Sequence, residues 1–152
     1  FLTIFVMMPV YQDINENALQ PYLDNRITQE IFLERTSIPV KRFMQQYTRE
    51  KDLALFMKIT NLPRPRTIDD VPIWVVIPAF VLSELNTAFQ IGFVIYIPFL
   101  VIDMVVSAVL MAMGMMMLPP IMISLPFKLM LFVLVDGWHL LVGSMVKSFV
   151  PI

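Results

Sequence analysis

LNTAFQIGFVIYIPFLVIDMVVSAVLMAMGMMML, residues 85–118, holds one charged side chain in thirty-four positions, Asp103. The stretch ends in Met115-Met116-Met117 and Leu118, the double proline Pro119-Pro120 follows, and the next charge is Lys128. As a single helix it would extend ~51 Å, against a hydrocarbon core of ~30 Å. It must therefore tilt, protrude or break, and Pro98 is the predicted kink, because proline removes a backbone hydrogen bond in mid-helix. An acid, a methionine tip, a double proline and a base in otherwise apolar sequence predict a helical hairpin dipping into or through a membrane. It would turn near residues 115–120, with Pro119 and Pro120 as the breaker.

The rest of the chain divides around this stretch. It is 58% hydrophobic with a mean hydropathy of +0.74, above the roughly 45–50% apolar share of ordinary soluble domains. Residues 13–70 carry eighteen of the twenty-three Asp, Glu, Lys and Arg residues; residues 71–152 carry only Glu84, Asp103, Lys128, Asp136 and Lys147. A soluble helix needs a polar face, and 71–152 cannot supply one for each of its helices. That half reads as embedded in a membrane or buried in a large assembly. The net charge of −1 gives no basic excess for nucleic acid. The absence of cysteine excludes disulfides and thiolate metal sites.

Three segments follow. Residues 1–10 open with the apolar run Phe1–Met8, shorter than the ~20 residues a span needs. They read as the end of a transmembrane helix whose start precedes Phe1. Residues 11–70 read as a soluble segment of short helices: Tyr11–Leu23, Thr28–Arg35, a helix capped by Ser37 with Pro39 in its first turn, and one capped by Thr48 with Leu53, Phe56 and Met57 on one face. Asn61–Arg66 reads as a loop. Residues 71–152 form the apolar hairpin region, with a last helix from about Pro126 to Phe149. The predicted class is all-α.

Four groups of residues carry candidate function. Asp103 and Lys128 are equidistant in sequence from the middle of the Met triplet, so a hairpin turning there brings them to similar depth. A charge in hydrocarbon costs roughly 2.5–3.5 kcal/mol on insertion scales and seeks a partner. They form a predicted ion pair, either a structural pin or a pair holding a gate closed. Met115, Met116 and Met117 would gain little from adjacency within a helix, but at a turn all three can face one space. Copies around an axis would make a soft ring that excludes ions by dewetting; the alternative is lipid-facing filler. Glu84, Asn86, Thr87 and Gln90 make a polar patch, at a membrane boundary or between subunits, with Ser83, Thr87 and Gln90 on one face. Asp136 and His139, i and i+3, are either a local hydrogen bond or, with Asp103, a proton relay. No catalytic triad, phosphate loop or metal motif is present. Hence no enzyme, cofactor or metal is expected.

The chain resembles the FliP family of type III secretion export-gate proteins, together with its injectisome counterparts, SctR. The resemblance is carried by Ile77–Phe93, Pro98–Asp103, Met113–Pro120 and Leu125–Trp138, and less tightly by Gln20-Pro21 and Thr48–Leu53. It implies a membrane-associated subunit that assembles with copies of itself into a homopentameric ring, with FliQ and FliR and with FlhB and FlhA as further partners. It implies that unfolded flagellar export substrates pass through the ring, that Met115–Met117 line the constriction as a gasket, and that Asp103 and Lys128 are the intramembrane acid and base. It places the protein in the bacterial inner membrane, among lipid, at the flagellar basal body, with residues 11–70 in the periplasm. Relatives often carry Gln at the position of His139, which weakens the proton relay. The competing classes are a proton-conducting transporter using Asp103, Asp136 and His139, and a structural scaffold whose ring is filled by another protein.

Overall fold

The computed structural model describes residues 1–63, 65–115 and 117–149. Among them the chain is all-α, with no strand. It divides into two compact units, residues 1–87 and 88–152.

In the first unit, α1 (Leu2–Ile14) passes through Pro9, widens into a π-helical turn at Asn15–Leu19 and continues as α2 (Gln20–Leu23). The π turn buries Ala18, and the Asn17 carbonyl there accepts a 3.1 Å hydrogen bond from Arg35 Nη1 of α3 (Gln29–Tyr47). The helix ends where Asn25 takes a left-handed φ of 57°. The Arg26 N–H then reaches the Pro21 carbonyl and the Asn25 N–H reaches that of Tyr22, the paired closure of a Schellman motif.

α3 differs from the two short helices expected at 28–47. Ser37 does not cap a new helix; its hydroxyl donates back to the Glu34 carbonyl at 2.8 Å, and the helix carries Pro39 in its interior. Thr48 likewise donates to the Met44 carbonyl at the end of α3, so α4 (Glu50–Ile59) begins after Arg49 instead. The core of the unit is Met44, Val71, Val75 and Val76, with Leu53, Phe56, Met57 and Phe80 packed against it. The α4 stripe thus faces inward. The 3₁₀ turn Ile68–Asp70 is closed by a capping box between Thr67 and Asp70 and held to α3 by Lys41 and Gln45, which donate to the Asp69 and Ile68 carbonyls at 2.6 Å each.

α5 (Ile73–Ala112) is forty residues long, about twice what a membrane span requires. It runs on through Pro78 and through Pro98, the predicted kink, without ending at either. A proline forfeits one backbone bond, whereas ending the helix would strand several N–H and C=O groups in apolar surroundings. α6 (Pro120–Leu134) passes through Pro126, and α7 (Gly137–Lys147) follows it at a bend of 61°. The single helix expected from Pro126 to Phe149 is therefore two. Asp136 breaks it in the left-handed region, φ 49°. Gly137 lies so close beneath Phe132 that a Cβ there would overlap the ring, and that ring meets Trp138 edge to face at 5.4 Å.

Candidate functional site

The second unit is organised by one carboxylate. Asp103, on α5, receives Lys128 Nζ on Oδ2 at 2.7 Å and the Ser124 hydroxyl on Oδ1 at 2.6 Å, both from α6. Ser124 is fully buried, while the acid and base side chains are 28% and 20% exposed. From Asp103 to the end of α5 is nine residues, and from the start of α6 to Lys128 is eight, ~14 and ~12 Å of helix rise. The two charges therefore meet because the turn between the helices is nearly symmetric about them. Ser124 was not apparent in the sequence, because a lone serine in an apolar helix most simply bonds its own turn; its hydroxyl also lies 3.2 Å from the Ile121 carbonyl.

The turn at the tip is built by glycine. Gly114 has φ 73°; its N–H bonds the Met111 carbonyl at 3.1 Å and the Met115 N–H bonds the Leu110 carbonyl at 3.0 Å. This is again a Schellman closure, with Leu110 buried beneath it. Pro119 and Pro120 stand at the other side of the turn, as the N-cap and first residue of α6. Proline is favoured there because the first helical N–H has no partner to lose. Between these two ends lie the methionines. Met115 is 40% exposed and Met117 is 97% exposed; Met116 lies outside the described residues. Below the tip, Ile102, Val106, Leu110, Ile123 and Phe127 line an apolar groove of about 490 Å³ between α5 and α6.

The polar patch on α5 resolves into parts. Ser83 is buried and donates to Asp52 Oδ2 at 2.7 Å while accepting the Arg49 N–H at 3.0 Å. The Arg49 guanidinium spreads over the same region. Its Nε is 3.1 Å from Asp52 Oδ2, its Nη1 donates to Asn86 Oδ1 at 2.9 Å, and its Nη2 donates to the Ser83 carbonyl at 3.2 Å. Thr87 bonds back to the Ser83 carbonyl. Glu84 is half-buried and Gln90 exposed. Arg49 and Asp52 were missed as site residues: apart from each other, their partners lie on α5, thirty-one to thirty-seven positions away, and no local spacing encodes that. Asp136 and His139 are both exposed, and no described hydrogen bond or ion pair joins them. Among the described residues, no group of His, Cys, Asp and Glu is placed to hold a metal ion.

An apolar forty-residue helix with little of its surface buried, a hairpin pinned by one ion pair and a polar helical segment packed on the start of that helix define an all-α, membrane-associated protein with a membrane-spanning helix. A family model, the FliP family, matches residues 1–145. Over 149 residues the chain is 56% identical to the flagellar biosynthetic protein FliP of Bacillus subtilis (strain 168), covering 98% of this chain and 67% of that protein. The same protein of Pectobacterium carotovorum subsp. carotovorum is also 56% identical, with 98% and 58% covered. That of Aquifex aeolicus (strain VF5) is 48% identical over 151 residues, with 98% and 63% covered. The chain belongs to the FliP family, and it spans about three fifths to two thirds of the length of these relatives.

Proposed function

We propose that the chain is the pore-forming part of a flagellar type III export gate. Copies of it form a homopentameric ring in the bacterial inner membrane, with FliQ, FliR, FlhB and FlhA as partners and residues 11–70 on the periplasmic side. Unfolded export substrates cross through the centre, and Met115, Met116 and Met117 seal it between substrates. The chain acts as a conduit, not as an enzyme.

The observation that carries this reading is the tip. Gly114 ends α5 abruptly, Met117 projects almost fully exposed beyond it, and the Asp103–Ser124–Lys128 pin fixes the two helices behind it. A rigid stalk ending in flexible, polarizable thioethers suits a seal that must deform around a passing chain and close again. Asp136 and His139, exposed and unjoined, give the proton-relay alternative no comparable support.

The test is Met115→Ala with Met117→Ala in the complete complex in vesicles and in cells. The expected outcome is ion leakage with export largely retained. Tight vesicles with undiminished export would remove the seal, and a fall in proton flux would favour the transporter reading.

A further inference from the structure

We propose that the methionine tip is a site of reversible oxidation, and that sulfoxide formation at Met115 and Met117 opens the closed gate to ions. The inference rests on the sealing role proposed above and adds a chemical control to it. The chain contains no cysteine, so thioethers are its only sulfur and no thiol competes for an oxidant. Met44, in the core of the first unit, is 8% exposed, Met115 at the turn 40% and Met117 97%; Met104 and Met130, at 70% and 59%, lie on the apolar flanks of α5 and α6 that lipid or protein covers. The tip is also apolar: Met113, Leu118, Ile121 and Met122 surround the turn and are themselves exposed, and neither Asp nor Glu nor Lys nor Arg occurs between Asp103 and Lys128.

The reaction is a two-electron oxygen transfer. A peroxide gives one oxygen to the thioether; an S–O bond forms, the O–O bond breaks, the sulfur is oxidised to the sulfoxide and hydrogen peroxide is reduced to water. The product is polar and a strong hydrogen-bond acceptor in place of a soft apolar group. A constriction that excludes water only because its lining is apolar is wetted by such a change, while the backbone closure at Gly114 is untouched. Methionine sulfoxide reductases act on both epimers, so the change is reversible.

The experiment uses the complete gate complex in vesicles, treated with hydrogen peroxide. Peptide mass spectrometry reads each sulfoxide, and a trapped ion-sensitive dye reads leakage. The tip methionines are expected to oxidise several-fold faster than Met44 and than Met104 and Met130 on the covered flanks of α5 and α6. Leakage should rise several-fold in step with them and fall again on adding the two reductases. In Met115→Leu with Met116→Leu and Met117→Leu, the peroxide-induced rise, measured against that variant's own untreated leak, should disappear. Tip methionines that oxidise no faster than Met44, or that oxidise without leakage, would overturn the proposal. The sealing role has its own separate readout, the leak of the alanine variants in the absence of oxidant.

Discussion

At Asp103 two donors from one helix share the two oxygens of one carboxylate. Lys128→Met keeps much of the aliphatic stem but leaves the acid with Ser124 alone. Exposed ion pairs contribute little and breaking a buried one is strongly destabilising, so losing this partly exposed pair should lower the melting temperature by an intermediate amount. Thermal unfolding of the detergent-solubilised complex measures it, with Asp103→Asn completing a double-mutant cycle. The charge swap Asp103→Lys with Lys128→Asp should recover part of the loss, since a serine hydroxyl accepts as readily as it donates. Simple additivity of the two single variants would mean that the pair is not coupled. The acid and base were legible because depth in a hairpin follows from counting residues on either side of the turn. Ser124 was not, since which serine meets the acid depends on the rotation of α6 about its own axis.

Helix ends were read partly from the wrong residues: Leu23 and Pro119-Pro120 do bound helices, but other prolines do not. Proline attracts attention as a breaker, yet α1, α3, α5 and α6 all carry prolines inside them. Left-handed residues at Asn25, Asn61, Gly114 and Asp136 stand where helices stop. The physical reason is that a lost bond is local, whereas a positive φ turns the chain out of the helix. Gly114→Ala should cost about 1–2 kcal/mol, the left-handed penalty for a residue with a Cβ, and Gly114→Asn clearly less; differential scanning of the solubilised protein reads both. Equal stability of all three would mean that the φ is not maintained. The 3₁₀ turn gives a pH prediction. Backbone and side-chain hydrogen bonds from Thr67 hold the Asp70 carboxyl below the ordinary 3.8. A depressed folded-state value stabilises above the unfolded pKa and is lost as pH falls through the folded one. Asp70→Asn should therefore make stability less steep below about pH 4 and leave the slope at neutral pH unchanged, as read by melting temperature against pH.

For the whole molecule, the deciding contrast is between the two units. Residues 1–87 bury a core of Met44, Val71, Val75 and Val76 and close a polar network around Arg49. In residues 88–152, Leu110 is the one buried hydrophobic side chain among the described residues, while Phe89, Phe93, Val94, Met104 and Val105 are exposed. Leaving such side chains in water forfeits roughly 1.5–3 kcal/mol each, so this unit reaches its stable state only when lipid or protein covers it. The charge division in the sequence made that legible; the Arg49 network was invisible to it, because it forms only when α4 packs on α5. The lack of cysteine makes the coverage measurable with single introduced thiols. Cysteines replacing Phe93, Val94, Met104 or Val105 in membranes should react slowly with a membrane-impermeant maleimide, and cysteines replacing Glu16 or Lys51, both exposed, should react at the rate of a free thiol. After denaturation all six should label alike. Labelling of Phe93→Cys and Met104→Cys as fast as Glu16→Cys in intact membranes would mean that α5 faces water, and the membrane-spanning assignment of that helix would fall with it.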